Sequence, residues 1–235
     1  MSRAPLREAL INIEFEPHVQ IDAIDRFFAL QADQIRGKSD LWEANFGVTV
    51  GAAAASSSIV GRRVDFASKP YVIQCRNTAF TVSRLSPYGK WEELKSETHS
   101  GWTKFQEAAG TLRVKKATVR YINAITIPLP LSDFNEYLVC APTIPASLPQ
   151  ALSGFITKVI TPDVGNRVIA VTQALEPPTP GSSAVTVLLD IEVIAPMNID
   201  GNSFEILWQE LDLMRKRKND VFFEYLTEKS MEMYE

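Results

Sequence analysis

Four polar residues interrupt otherwise apolar segments, and their side chains could recognise an anion. Arg120 and Asn123 lie within the segment 118–127, where apolar residues occupy both faces of a predicted strand. Asp190 and Glu192 are two residues apart on a second, longer predicted strand, so both carboxylates point to its outward face. These four residues are therefore the candidate ligand-binding residues.

The arginine allows two interpretations, because a buried guanidinium costs several kcal/mol unless it is paired. In the first, Arg120 forms an internal ion pair with Asp190 or Glu192. In the second, Arg120 faces a cleft and recognises an anionic ligand through charge-assisted hydrogen bonds. The acidic pair could also share a metal ion, but no third ligand is identifiable, so the sequence predicts no metal site.

Other catalytic chemistry has little support in the sequence. The two histidines, His18 and His99, are far apart and belong to no H-E-x-x-H or H-x-x-x-H pattern. Serines 56–58 lack the G-x-S-x-G context of a nucleophile, and the glycines of 47–51 are not followed by a G-K-[ST] phosphate-binding motif. The sequence therefore predicts no catalytic residue and no cofactor, and an enzyme is the less favoured class.

The single basic run, formed by Arg215, Lys216, Arg217 and Lys218, lies on a predicted C-terminal helix. Lys218 interrupts the apolar stripe of that helix, where its stem could snorkel or its ammonium could meet a carboxylate. Acidic residues flank the run and the chain has a net charge of −4, so nucleic-acid binding is not expected.

The composition is that of a soluble globular protein, with 235 residues of which 46% are hydrophobic and 22% charged. The N-terminus lacks the apolar core of a signal peptide, and no apolar stretch is long enough to span a bilayer. Cys75 and Cys140 have no partner spacing and are expected to be free thiols in a reducing compartment. These features predict a cytoplasmic protein without membrane association.

The spacing of apolar residues predicts an α+β fold. Two similar halves, 1–127 and 151–235, are each expected to form a mostly antiparallel sheet with a packed helix. A proline-rich connection at 128–150 separates them. Residues 51–58 are all small, which is typical of a mobile loop.

The two halves share a signature in their main helices. Trp91 begins the sequence W-E-E-L and Trp208 begins W-Q-E-L, and an aromatic residue, Phe105 or Phe222, follows about four helical turns later in each. The match arises either by chance or from an internal duplication with an approximate two-fold. In the second case, the seam between the halves is the preferred surface for a ligand or partner.

Short motifs along the chain resemble those of a known family. The matching segments are P-L-R-E-A at 5–9, P-Y-G-K-W at 87–91, R-Y-I-N at 120–123, L-D-I-E-V at 189–193, K-N-x-x-F-F at 218–223 and T-E-K at 227–229. They occur in the order seen in a sporadically distributed family of bacterial proteins of similar length with no established function. That family prefers aspartate where this chain has Glu192, and often has an arginine and a glycine where this chain has residues 116–119. The resemblance implies a soluble accessory protein and supplies no mechanism.

Two classes of function follow from these observations. The favoured hypothesis is a non-enzymatic interaction module that binds a protein partner or a second copy of itself. The sporadic distribution of the family suggests a toxin-neutralising or defence role. The alternative is an enzyme or small-molecule binder that acts on a phosphorylated or carboxylated ligand at the seam, lined by Arg120, Asn123, Asp190 and Glu192.

Overall fold

The structure is a computed structural model and describes residues 4–49, 52–87, 89–177 and 179–234. Its strands are β1 Leu6–Glu16, β2 Ile35–Thr49, β3 Ala52–Phe66, β4 Tyr71–Arg76, β5 Ala79–Leu85, β6 Arg113–Pro128, β7 Ile156–Asp163, β8 Arg167–Leu175 and β9 Ala184–Asp200. Its α-helices are α1 Ile21–Ala29, α2 Trp91–Ala109, α3 Phe204–Tyr225 and α4 Glu228–Glu232.

The described strands form one sheet in the order β2-β3-β4-β5-β1-β6-β9-β8-β7, and every neighbouring pair is antiparallel. β1 and β6 pair near the centre, where Ile11 lies opposite Val119. Beside β1 the sheet continues through β5, β4 and β3 to the edge strand β2. Beside β6 it continues through β9 and β8 to the opposite edge strand β7. The α+β prediction is confirmed, and both predicted halves contribute to a single sheet.

The alternation of side chains along β6 defines the two faces of the sheet. Val119, Tyr121 and Asn123 are buried on the face that α2 and α3 cover, whereas Arg120 and Ile122 lie on the opposite face and are partly exposed. The apolar pattern of this strand therefore decides which of its polar groups can meet the helices.

An aromatic cluster fills the core between α1, α2 and the sheet. Its members are Phe15, Phe27, Phe80, Trp102 and Phe105. The rings of Phe80 and Trp102 have centroids 5.7 Å apart, and those of Phe80 and Phe105 are 5.3 Å apart. The Trp102 indole Nε1 donates to the carbonyl oxygen of Gly201 at 3.2 Å, which ties α2 to the turn before α3. This cluster positions α2, and with it the residues at the start of that helix.

The prediction of a mobile loop at residues 51–58 is wrong for residues 52–58, which belong to β3; residue 51 lies outside the described residues. β3 pairs along its length with β2, and Ser57 lies opposite Ala44. Alanine and serine show no apolar alternation, yet backbone hydrogen bonds to a neighbouring strand do not depend on it. The pairing with β2 therefore forms a strand that the side chains alone do not indicate.

Candidate functional site

A pocket of about 360 Å³ lies where α2 begins and α3 crosses β6. Residues from the start of β1, the first turn of α2, β6 and α3 line it. The two helices are joined beside it, because the Trp91 indole Nε1 donates to Asp212 Oδ1 at 2.7 Å and the Lys95 Nζ lies 2.5 Å from Asp212 Oδ2. The pocket is therefore held by packed elements on three sides.

Lys218 of α3 brings an ammonium group into this pocket. Only 7% of the residue is exposed, and its Nζ lies 3.6 Å from the centroid of the Tyr121 ring and donates to Asn219 Oδ1 at 2.5 Å. Among the described residues, no carboxylate oxygen lies within 4 Å of this Nζ. Burial, with a smaller contribution from the positive charge of Arg215, lowers the pKa of Lys218 to about 7.

Two further cationic side chains line the pocket. Arg215 precedes Lys218 by three residues, so both project from one face of α3, and no carboxylate of the described chain pairs with its guanidinium within 4 Å. Lys90 immediately precedes α2, and the N-terminus of a helix carries a partial positive charge. Glu92 is the one acidic residue in the described lining. The pocket is thus locally positive in a chain that is negative overall.

The remaining wall of the pocket is largely apolar. Leu6, Trp91, Phe222 and Phe223 contribute aliphatic and aromatic surface to it. Apolar walls with a few convergent polar groups are typical of sites for small organic molecules. The pocket is therefore suited to a ligand that has both an apolar body and a negative charge.

A larger pocket, of about 520 Å³, lies in the proline-rich region and is lined mainly by residues 129–153. Asp133 is its one ionisable residue among those described, and the Asp133 carboxylate already accepts a hydrogen bond from the backbone N–H of Asn135 at 2.8 Å. Because no charges converge on it, this larger space is a weaker candidate than the pocket at Lys218.

Of the four residues predicted from the sequence, Asn123 alone lines the pocket at Lys218. It is 4% exposed, and its Nδ2 donates to the carbonyl oxygen of Leu189 at 3.0 Å. This hydrogen bond links β6 to β9 beneath α3. Asn123 therefore has a clear structural role at the floor of the pocket.

Arg120, Asp190 and Glu192 meet on the opposite face of the sheet. The Arg120 Nε and Nη2 donate to Asp190 Oδ1 and Oδ2 at 2.9 and 2.6 Å, and Glu192 Oε1 lies 3.1 Å from the same Nε. The hydrogen bonds to Asp190 raise the pKa of Arg120, while burial acts in the other direction and the nearby charge of Glu8 adds to the rise. The expected ion pair is present, and a ligand-binding role for these three residues stays a prediction.

Replacing Arg120 with methionine should lower the free energy of unfolding by ~1–3 kcal/mol at pH 7, because Asp190, Glu192 and Glu8 lose the cation that they share. Urea unfolding of the two proteins measures this difference. Arg63→Met is a matched control, since the 41%-exposed side chain of Arg63 pairs with Asp65 alone among the described residues. Unchanged stability together with loss of anion binding would instead support the ligand interpretation.

The basic run does not act as one patch. The Lys216 side chain is 75% exposed and its Nζ lies 3.3 Å from Asp220 Oδ2, whereas Arg217 Nη2 pairs with Asp163 Oδ1 at 3.0 Å. The other two members, Arg215 and Lys218, line the pocket.

Within the described ranges, no three His, Cys, Asp or Glu side chains are grouped to hold a metal ion. No helix of those ranges combines the length and apolar character needed to cross a membrane.

Compared with known proteins, the chain matches no family model and no curated sequence. Four of the six segments that carry the resemblance noted above contribute residues to the pocket at Lys218, namely 5–9, 87–91, 120–123 and 218–223. Sequence reasoning did not assign Arg215, Lys218 or Lys90 to a site. The available signals were the lysine at an apolar-stripe position of α3 and the short motifs that contain Lys90 and Lys218.

Proposed function

We propose that the protein binds a small organic anion in the pocket between α2 and α3. The observation that carries this proposal is the ammonium of Lys218, which is buried beside the pocket without a carboxylate partner among the described residues. A buried charge is costly unless it is compensated. The Tyr121 ring and Asn219 Oδ1 compensate it in part, and an anion in the pocket would supply the opposite charge.

The chemistry of the lining defines the class of ligand. Arg215, Lys218 and the first turn of α2 can together hold a carboxylate or a phosphate. Trp91 and Phe222 can hold an apolar, preferably aromatic, body against the same group. This is the anionic-ligand hypothesis drawn from the sequence, but Asn123 is the one predicted residue that lines the pocket.

Calorimetric titration with 3-phenyllactate and with phenyl phosphate tests the proposal and separates a carboxylate from a phosphate ligand. Arg215→Ala should lower the affinity by roughly 10- to 100-fold, because a charge-assisted hydrogen bond contributes ~1.5–3 kcal/mol. Lys216→Ala is the matched control, since it removes an exposed positive charge from the same helix and should leave the affinity within about twofold. Equal losses in the two variants would show that the pocket does not hold the anion.

We also propose that the chain arose by internal duplication. In support, β1 is followed in sequence by β2–β5, the last of which pairs with β1, and then by the long helix α2. In the same way β6 is followed by β7–β9, the last of which pairs with β6, and then by the long helix α3. Trp91 is the first residue of α2, whereas Trp208 lies in the second turn of α3. The second unit would then begin with β6, which the division at 128–150 assigns to the first half. Superposition of β1 and β5 on β6 and β9 tests the proposal, and helices that fail to overlay would contradict it.

Action through a protein partner or a second copy, and a cytoplasmic location, remain predictions from the sequence. Binding of a small anion is compatible with either, because a ligand-controlled module can also engage a partner.

A further inference from the structure

We propose that the Lys218 side chain is a reactive amine that forms an imine with a carbonyl-bearing anion, such as an aryl 2-oxo carboxylate. This inference rests on the proposed function, because the anionic group of the ligand would be held by Arg215. It adds a covalent step to that function and narrows the class of ligand.

The position of Lys218 suits a nucleophile. Lys218 lines a pocket of about 360 Å³, and its Nζ contacts the ring of Tyr121 and the side chain of Asn219. Arg215, three residues earlier on α3, lines the same pocket, and residues at this spacing are neighbours on a helix surface. In a 2-oxo carboxylate the carbonyl carbon is bonded directly to the carboxylate carbon. An anion held by Arg215 would therefore present its carbonyl carbon to Lys218.

The surroundings of Lys218 favour the neutral amine, which is the form that attacks a carbonyl. The face of the Tyr121 ring attracts the charged form, but the cost of burying the charge and repulsion from Arg215 act against it. With a pKa of about 7, roughly half of the Lys218 amines are neutral at pH 7, whereas an ordinary lysine is almost entirely charged.

The step balances without a further reactant. The nitrogen lone pair of Lys218 forms a bond to the carbonyl carbon, and the π electrons of the carbonyl move to its oxygen. One proton passes from the nitrogen to that oxygen, which gives a carbinolamine. The second nitrogen proton passes to the hydroxyl group, which leaves as water while the nitrogen lone pair forms the second C–N bond. The products are one C=N bond and one water molecule, and nothing is oxidised or reduced.

Reductive trapping tests the inference. The protein is incubated with phenylpyruvate and cyanoborohydride, and the stable secondary amine is located by peptide mass spectrometry. We expect adduct at Lys218 to exceed adduct at Lys216, the exposed lysine on the same helix, by at least ~tenfold, because Lys216 does not line the pocket that would hold the ligand. Excess 3-phenyllactate, which has the carboxylate but no ketone, should suppress the adduct.

Two further outcomes separate this inference from the proposed function. Lys218→Arg should abolish the adduct while keeping a cation for 3-phenyllactate. If that variant does not fold, suppression of the adduct by 3-phenyllactate in the wild-type protein gives the same information. Binding of 3-phenyllactate without preferential adduct at Lys218 would overturn the imine and leave anion binding intact. Adduct spread evenly over exposed lysines, with no binding of 3-phenyllactate, would overturn both.

Discussion

Replacing Lys218 with methionine is expected to stabilise the protein by ~2–4 kcal/mol at pH 6. The wild-type protein must bury an ammonium that has no carboxylate partner among the described residues, and methionine fills similar space without charge. The difference between an ordinary lysine pKa and about 7 corresponds to ~3–5 kcal/mol, part of which is offset by contacts with Tyr121 and Asn219 that the variant loses.

The stabilisation should depend on pH in a defined direction. Below pH 7 the lysine is charged in both the folded and the unfolded chain, so the full cost of burying it is present. Between about pH 7 and about pH 10 the unfolded chain binds more protons than the folded one, so the wild-type protein gains stability as pH rises. The advantage of Lys218→Met should therefore be greatest at pH 6 and become small near pH 10.

Urea unfolding of wild type and variant at pH 6, 8 and 9.5 measures this difference. Lys216→Met is the matched control, since the 75%-exposed side chain at that position should leave stability nearly unchanged at every pH. Lys90, Glu92, Arg215 and Tyr121 also line the pocket and are present in both proteins. A variant that is less stable than wild type at pH 6 would show that the ammonium is already compensated.

Replacing Trp102 with alanine is expected to destabilise the protein by ~3–5 kcal/mol. The Trp102 side chain is fully buried against Phe15, Phe80 and Phe105, and its indole hydrogen bond to Gly201 would be lost as well. The cavity would lie between α2 and the sheet. The first turn of α2, which forms one wall of the pocket, should therefore be held less firmly. Thermal unfolding and aryl-anion binding report these two effects separately.

Trp42→Ala is the matched control for the change at Trp102. The indole at residue 42 lies on β2 and is 59% exposed, so its removal should cost well under ~1 kcal/mol. Similar losses for the two tryptophans would mean that the aromatic cluster does not carry the stability ascribed to it.

Much of the local structure follows from patterns that lie within single segments. The period of two along β6 predicts a strand with Tyr121 and Asn123 on one face and Arg120 on the other. That alternation already implies that Arg120 and Asn123 cannot both line one pocket, although both were predicted to line the same site. The cost of an unpaired guanidinium likewise predicts the ion pair that Arg120 makes with Asp190.

By itself, the sequence determined that the chain is α+β, where most strands and the two long helices lie, and that Arg120 needs an acidic partner. These features depend on the spacing of neighbouring residues and on the cost of burying charge, both of which can be read along one segment. The tertiary structure alone decided that the strands form one sheet and that Lys218 lies over Tyr121 beside Arg215 and the start of α2. These arrangements depend on which distant segments pack together. The apolar stripe of α3 indicates that Lys218 lies on the packed face of the helix, but it does not indicate which residues of other segments Lys218 meets there.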